Sequence, residues 1–357
     1  MTPNNTSHIK TTRNNNLDIY RGCSMIYITC ILHNFYGVQN IDTVFTSLLL
    51  ITMPIVFYIA GASFSLATPK SYPQYLWRRT KRIVFPYYIL VALTTTVYFI
   101  YQCIIERGSI RQFFLTFGEN RYYNIFSGEL YEFNHLWFIP TYLIIALILP
   151  MLGYIKPRLN APIIYLICII NAIILIYFPN DIVCYGTFAL AGLYYNQKRP
   201  ANPYILAIIF ACAMIWCACN GYGFNMQDNK FPPNIMFFAY SGLILSLFLP
   251  LVARMCRWLY RNKFLKHYID MYAQLGLTVY LYHSINVLII GRSLEYLCRG
   301  HDLPPIAHLS ILIATSITLF FANIYLSKGM KQVETFIINL FTSIFNRIYT
   351  TIRPNNL

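Results

Sequence analysis

The chain has 357 residues, of which 57% are hydrophobic and only 11% charged, and its mean hydropathy is +0.49. That excludes a water-soluble domain of ordinary make-up and points to a polytopic membrane protein. Its 27 basic residues outnumber 12 acidic ones, but they sit in short clusters between apolar runs, where they orient helices, so no nucleic-acid partner is expected.

Residues 1–16 form a polar, Asn-rich tail with no apolar core for a cleavable signal peptide, so the first apolar helix is expected to direct insertion. Apolar runs near the roughly 20 residues needed to cross a bilayer follow at 22–38, 44–66, 83–105, 135–155, 161–179, 181–196, 203–219, 234–254, 275–291 and 304–327. The fifth and sixth are separated only by "PND", and the sixth is short and holds Gly186 and Gly192. That pair reads either as two spans or as a tight hairpin or re-entrant pair. With the N-terminus in the cytoplasm, 21 of the Lys and Arg residues fall on cytoplasmic segments and 6 outside, the asymmetry that the positive-inside rule asks for.

The fold expected is therefore all-α. Residues 17–330 make one polytopic transmembrane helical bundle of about ten spans, with N- and C-termini cytoplasmic. Residues 331–357 make a cytoplasmic tail in which "VETFIINLFTSIFNRIY" (333–349) is expected to lie as an amphipathic helix on the inner surface.

The acids lean outward. Two inner basic clusters, "WRRTKR" (77–82) and "RMCRWLYRNKFLKH" (254–267), either serve topology and contact with anionic headgroups or also hold an anionic cytosolic ligand. Two outer loops, 106–134 and 221–234, are long enough to hold a substrate. The ten cysteines show no metal-ligand spacing, so no metal is expected. Cys168, Cys184, Cys212, Cys217 and Cys219, in or beside apolar runs, are expected to pack as small hydrophobes.

Two histidines stand inside apolar runs, His33 in the first and His283 in the ninth. A titratable side chain at membrane depth is costly, which marks both as functional candidates. Twelve residues of helix put His33 about 18 Å beyond Arg21, past the midplane of a core about 30 Å thick. His283 has Tyr280 at i−3 and Asn286 at i+3, a polar strip able to bond it. Each ring is either a neutral group bonding a neighbouring helix or one that takes up and returns a proton. Depth alone does not separate a general base from the proton sites of an exporter that uses His33 and His283.

Five pieces carry a resemblance. The segment "LDIYRGCSMIYITCILH" (17–33) resembles the first helix of the acyltransferase-3 family, membrane O-acyltransferases of cell-surface glycans, with its acid–x–x–Arg–Gly opening before an intramembrane His. In the family's order follow "MPIVFYIAGASFS" (53–65), "RRTKRIVFPYYI", "HLWFIPTYLI" (135–144) and "LGLTVYLYHS" (275–284). The resemblance implies transfer of an acetyl or other short acyl group from cytosolic acyl-CoA to a sugar hydroxyl, with no cofactor bound and acetyl-CoA as donor substrate. It implies that His33, the candidate base, activates the acceptor hydroxyl or assists acyl transfer, and that Arg21 and the Arg79/Arg82 pair, with Arg78 beside them, face the CoA phosphates. Glu129, Glu132, His135, Trp137, Tyr280 and His283 are the acceptor-side candidates, Trp137 being equally readable as an interfacial belt residue. The expected partners are acyl-CoA, a glycan or lipid-linked saccharide and membrane lipid, and the expected location is the inner membrane of a bacterium.

Two departures from the family pattern matter. Arg21 and His33 have eleven residues between them where the family has ten, and twelve helical steps leave them about 120° apart where eleven would leave about 20°. Either a π-bulge between them absorbs the extra residue, or Arg21 precedes the helix, or the two do not work as a pair. Ala60 stands where the family commonly has Ser before Gly61, so no hydroxyl role carries over there.

Overall fold

The computed structural model describes residues 15–39, 41, 43–67, 71–105, 109–119, 123–126, 130, 133–155, 160–194, 202–298 and 304–352. Among these residues the regular elements are helical, with no strand. In chain order they are α1 (Asn15–Ile26), α2 (Val44–Ser47), α3 (Thr52–Leu66), α4 (Tyr72–Arg79), α5 (Phe85–Ile100), α6 (Ile110–Glu119), α7 (Phe138–Ile155), α8 (Ala161–Tyr177), α9 (Asp181–Leu193), α10 (Pro203–Cys219), α11 (Ile235–Leu259), α12 (Lys263–Cys298) and α13 (Pro305–Ile352). π-Helical stretches extend α1 at Tyr27–Leu32 and Asn34–Val38, join α4 to α5 at Thr80–Val84 and close α5 at Tyr101–Ile105.

Each apolar run read from the sequence holds a helix. Five helical segments are long and apolar enough to cross a membrane: Val44–Leu66, Tyr72–Ile104, His135–Gly153, Lys263–Cys298 and Ile306–Ile344. A bent pair, Ile235–Leu247 and Leu249–Leu259, counts as a sixth if taken as one span. Pro250 lies inside that helix, where its missing N–H and its ring break the hydrogen-bond ladder. Helices α8, α9 and α10 are apolar but shorter, at 17, 13 and 17 residues. The "PND" break is a true helix boundary, because Asn180 caps α9 by accepting from the N–H groups of Ile182 and Val183. Asn160, Asn202 and Asn234 start α8, α10 and α11 in the same way.

Two expectations change. The outer stretch 106–134 is not all loop: it contains α6, which buries Phe113. The stretch 333–349 is helical but is no separate surface helix. It continues α13, which runs 48 residues with its one proline, Pro305, at the first position and packs its tail through Glu334, a fully buried acid bonded by Thr278 Oγ1 at 3.1 Å and Lys331 Nζ at 3.0 Å. Of the five cysteines expected to pack, Cys168, Cys184 and Cys217 are buried, while Cys212 and Cys219 lie exposed on α10.

Close backbone approach sets the packing around the site. A Cβ on Gly61 of α3 would collide with the Ala189 carbonyl, and one on Gly192 of α9 with the Tyr58 carbonyl. Small residues at such crossings let two helices meet backbone to backbone. The α1 segment runs parallel to α12, with Gly22 against Ile269, His33 against His283 and Gly37 against Val287. Helix α13 closes the other side of α1, where Asn34, fully buried, donates to the Leu312 carbonyl and Ser316 Oγ and accepts from Thr315 Oγ1.

Candidate active site

The excess residue of the first helix is taken up between its two ends. The N–H of His33 donates to the Ile28 carbonyl five residues back, the i→i−5 bond that defines a π-turn. Asn323 Nδ2 of α13 donates to the Thr29 carbonyl at 3.1 Å, giving a buried partner to a backbone group of the widened turn. The extra residue therefore does not throw Arg21 and His33 onto different faces. Both look toward α12, Arg21 beside Gly276 and His33 on His283.

At one end Arg21, Arg79 and Arg82 line a cavity of about 120 Å³ with Ser24, Ser63, Tyr142 and Tyr280 among its walls. Arg21 is held by Asp18 Oδ1 at 2.8 Å, within the acid–x–x–Arg opening, and donates to Ser63 Oγ at 2.8 Å. Arg79 Nη1 donates to Tyr142 Oη at 3.4 Å, and its guanidinium lies 5.0 Å from the Tyr75 ring centre. The remaining walls include Met53, Val56, Ile59 and Ala60, so the lining combines three guanidinium groups with apolar side chains. Ala60 lines it without a hydroxyl, and Ser63, one turn further along α3, supplies one. Arg78 is exposed and does not line the cavity, since one helical step turns it about 100° around α4 from Arg79.

At the other end three imidazoles meet. His33 stacks on His283 with ring centroids 4.6 Å apart, and His135 stands edge-on to both, at 6.1 Å from His33 and 4.8 Å from His283. The hydrogen bonds fix the tautomers of neutral rings. A carbonyl only accepts, so His283 Nδ1, 2.7 Å from the Tyr280 carbonyl, carries a proton and donates it. His283 Nε2 is then an acceptor, and His33 Nδ1, hydrogen-bonded to it, is the donor. This leaves His33 Nε2 with its lone pair, the nitrogen available as a base. Among the described residues no set of three His, Cys, Asp or Glu side chains is arranged to hold a metal ion.

Tyr280 belongs to both ends. It lines the arginine cavity, packs edge-on against His135 at 5.2 Å and donates its hydroxyl proton to the His135 carbonyl at 2.6 Å. The expected polar strip around His283 is thus partly redirected: Tyr280 serves the ring through its backbone, and Asn286 turns to Asn323 of α13 at 2.9 Å. Ser284 Oγ holds His135, 2.9 Å from Nδ1. Trp137 is half-buried and packs on Phe231 at 5.0 Å and Tyr185 at 5.9 Å. Glu129 and Glu132 lie outside the described residues.

A model of an acyltransferase domain matches residues 14–325. The chain belongs to this acyltransferase-3 family. No curated protein and no solved structure matches it. The protein is therefore a membrane acyltransferase, and its paired cavity and histidine cluster lie within the matched domain.

Four side chains of the candidate site were not picked out from the sequence: Ser63, Tyr142, Ser284 and Lys230. The first three look like ordinary polar residues of apolar helices. Lys230 had a signal, since it is the lone basic residue in the outer loop 221–234. It is 7% exposed, with its ammonium 4.6 Å from the Phe231 ring centre and 5.0 Å from that of Trp137. Burial pushes its pKa down to about 8, with Asp181 opposing the shift. Taking an ammonium out of water costs several kcal/mol, against about 0.5–2 kcal/mol from the two rings.

Proposed function

We propose that the acyltransferase moves a short acyl group, acetyl foremost, from cytosolic acyl-CoA to a hydroxyl of a surface polysaccharide, an oligosaccharide or its lipid-linked precursor, at the inner membrane of a bacterium. The observation that carries the reading is the placement of two unlike groups on either side of Tyr280: three arginines lining a small cavity that Tyr280 also lines, and a histidine cluster whose His135 packs on the same tyrosine. Arginines suit phosphates through charged, forked hydrogen bonds. An apolar wall beside them suits a thioester arm.

In this reading Arg21, Arg79 and Arg82 hold the anionic end of the donor, and Asp18 and Ser63 keep Arg21 aimed at it. His33 Nε2 takes the proton of the acceptor hydroxyl as that oxygen attacks the thioester carbonyl. A C–O bond forms, the C–S bond breaks, and the CoA thiolate leaves with the proton from His33. His283 holds the base in its tautomer and orients it, as an acid or amide does for other catalytic imidazoles. The parallel packing of α1 and α12 supports the placement of the first and ninth runs as outward spans, with both termini cytoplasmic.

The test is a His33→Asn variant in membranes supplied with labelled acetyl-CoA. Loss of at least 10³-fold in transfer is expected, set by removal of the base, with normal insertion and unchanged donor binding. Normal glycan acetylation by this variant would overturn the reading. So would transport that follows a proton gradient while the wild type consumes no acetyl-CoA.

A further inference from the structure

The loop that carries Lys230 is built to hold one shape. Asn229 is buried, donates to the carbonyls of Gly223 and Asn225 at 2.8 Å each, and accepts from Asn234 Nδ2 at 2.7 Å. The loop is tied to the bundle by Met226 N–H on Ser47 Oγ at 2.9 Å and by Asn180 N–H on the Pro233 carbonyl at 3.2 Å. A segment fixed this firmly does not bury a lysine by accident of mobility.

The ammonium it presents is unmet. Among the described residues no carboxylate lies within ion-pair distance of Lys230 Nζ and no acceptor hydrogen-bonds it. Asp181, the acid that its charge feels, is instead bonded by Thr141 Oγ1 at 3.3 Å. The faces of Trp137 and Phe231 cover part of the ammonium and offer no hydrogen-bond acceptor. Trp137 is two residues from His135, which packs on His33 and His283, so the cation sits at the histidine end of the site and its charge acts on His33. The arginine cavity for the donor is at the other end.

We propose that Lys230 is the seat for an oxyanion carried by the acceptor, with the Trp137 and Phe231 rings as the platform for its sugar, so that this acyltransferase selects an anionic saccharide. Three unfilled N–H donors match a carboxylate or phosphate, and flat aromatic faces match the C–H faces of a pyranose. The oxyanion has two possible sources, the carboxylate of an acidic sugar or the pyrophosphate of a lipid carrier. The inference rests on the O-acyltransferase reading above.

The test compares Lys230→Gln and Lys230→Arg with the wild type in purified membranes, using three acceptors: a uronic-acid oligosaccharide, the same oligosaccharide with its carboxyls reduced to alcohols, and the reduced form on a polyprenyl pyrophosphate. The wild type is expected to favour an anionic acceptor over the neutral one by at least tenfold in kcat/KM. Lys230→Gln is expected to collapse that ratio through a rise in KM, and Lys230→Arg to keep most of it. Sensitivity confined to the uronic-acid form assigns the seat to a carboxylate, and sensitivity confined to the carrier-linked form assigns it to a phosphate. Equal losses on every acceptor, or an unchanged ratio, overturn the inference and leave the acyltransferase reading standing. A wild type that consumes no acetyl-CoA with any acceptor overturns both.

Discussion

The widened turn of the first helix makes a sharp test, because one residue can be removed or added there with opposite results. Ile31 lies within the π stretch and is 38% exposed, so its removal takes little packing with it. Without it the stretch can close to ordinary α-helix, and eleven steps from Arg21 to His33 leave them about 20° apart. The anchors on either side, Gly22 on Ile269 and Asn34 on α13, keep their places. Transfer from labelled acetyl-CoA is expected within about threefold of the wild type. An alanine inserted between Ile31 and Leu32 has the opposite effect. It turns His33 by about 100°, and at a side-chain radius of about 5.5 Å that moves the ring about 8 Å. The bond to His283 cannot survive, and since a displacement near 1 Å already costs about 10² in rate, the loss is expected to exceed 10². Both variants are to be checked for membrane insertion and for thermal unfolding in detergent. An active insertion variant, or an inactive deletion variant that unfolds normally, would refute the view that the π stretch exists to bring Arg21 and His33 into one register.

Two further outcomes follow from the packing and the charge. Gly192→Val pushes a side chain into the Tyr58 carbonyl and is expected to destabilise the α3–α9 crossing by about 3 kcal/mol, read as a lower unfolding temperature; an unchanged temperature would refute the backbone-to-backbone approach. Lys230→Met is expected to stabilise the protein while impairing its use of the acceptor, because Lys230 falls from its ordinary 10.5 to about 8 on burial. The penalty is full below about pH 8, where the folded chain must hold the charge, and fades as the pH climbs toward 10.5. The gross relief is about 3 kcal/mol, reduced to about 2 by the lost ring contacts. Unfolding temperatures at pH 6.5 and 9.5 check it, and an equal gain at both would contradict the shift.

The sequence is most legible where one dimension suffices. Apolar runs locate the helices because a helix packed in an apolar surrounding is apolar along its length, and the spacing of Arg21 from His33 raises a π-turn as one of three ways to accommodate the extra residue. It is least legible where the site depends on which distant segments meet. Arg78 and Arg79 are neighbours in one basic cluster, and only the seating of α4 decides that Arg79 faces the cavity and Arg78 does not. Asn286 looks like a partner for His283 until α13 brings Asn323 closer to it. Lys230 reads as a stray outer charge until its loop folds against Trp137. Ser63, set beside Arg21 by the α3 crossing, carries no mark in the local pattern at all.

The chain of bonds from His33 through His283 stops on the Tyr280 carbonyl, an oxygen that can receive a hydrogen bond but cannot hand a proton onward. A proton that reaches His33 can be shared with its neighbour and goes no further. It has to leave by the nitrogen through which it came. If the acceptor oxygen attacks the thioester directly, as proposed above, acceptor and departing thiolate use the same His33 nitrogen in one turnover, and both substrates are bound before either product departs. The kinetic signature is a set of intersecting lines in double-reciprocal plots, not the parallel lines of a covalent acyl-enzyme, and the enzyme holding donor alone should spend its thioester only slowly.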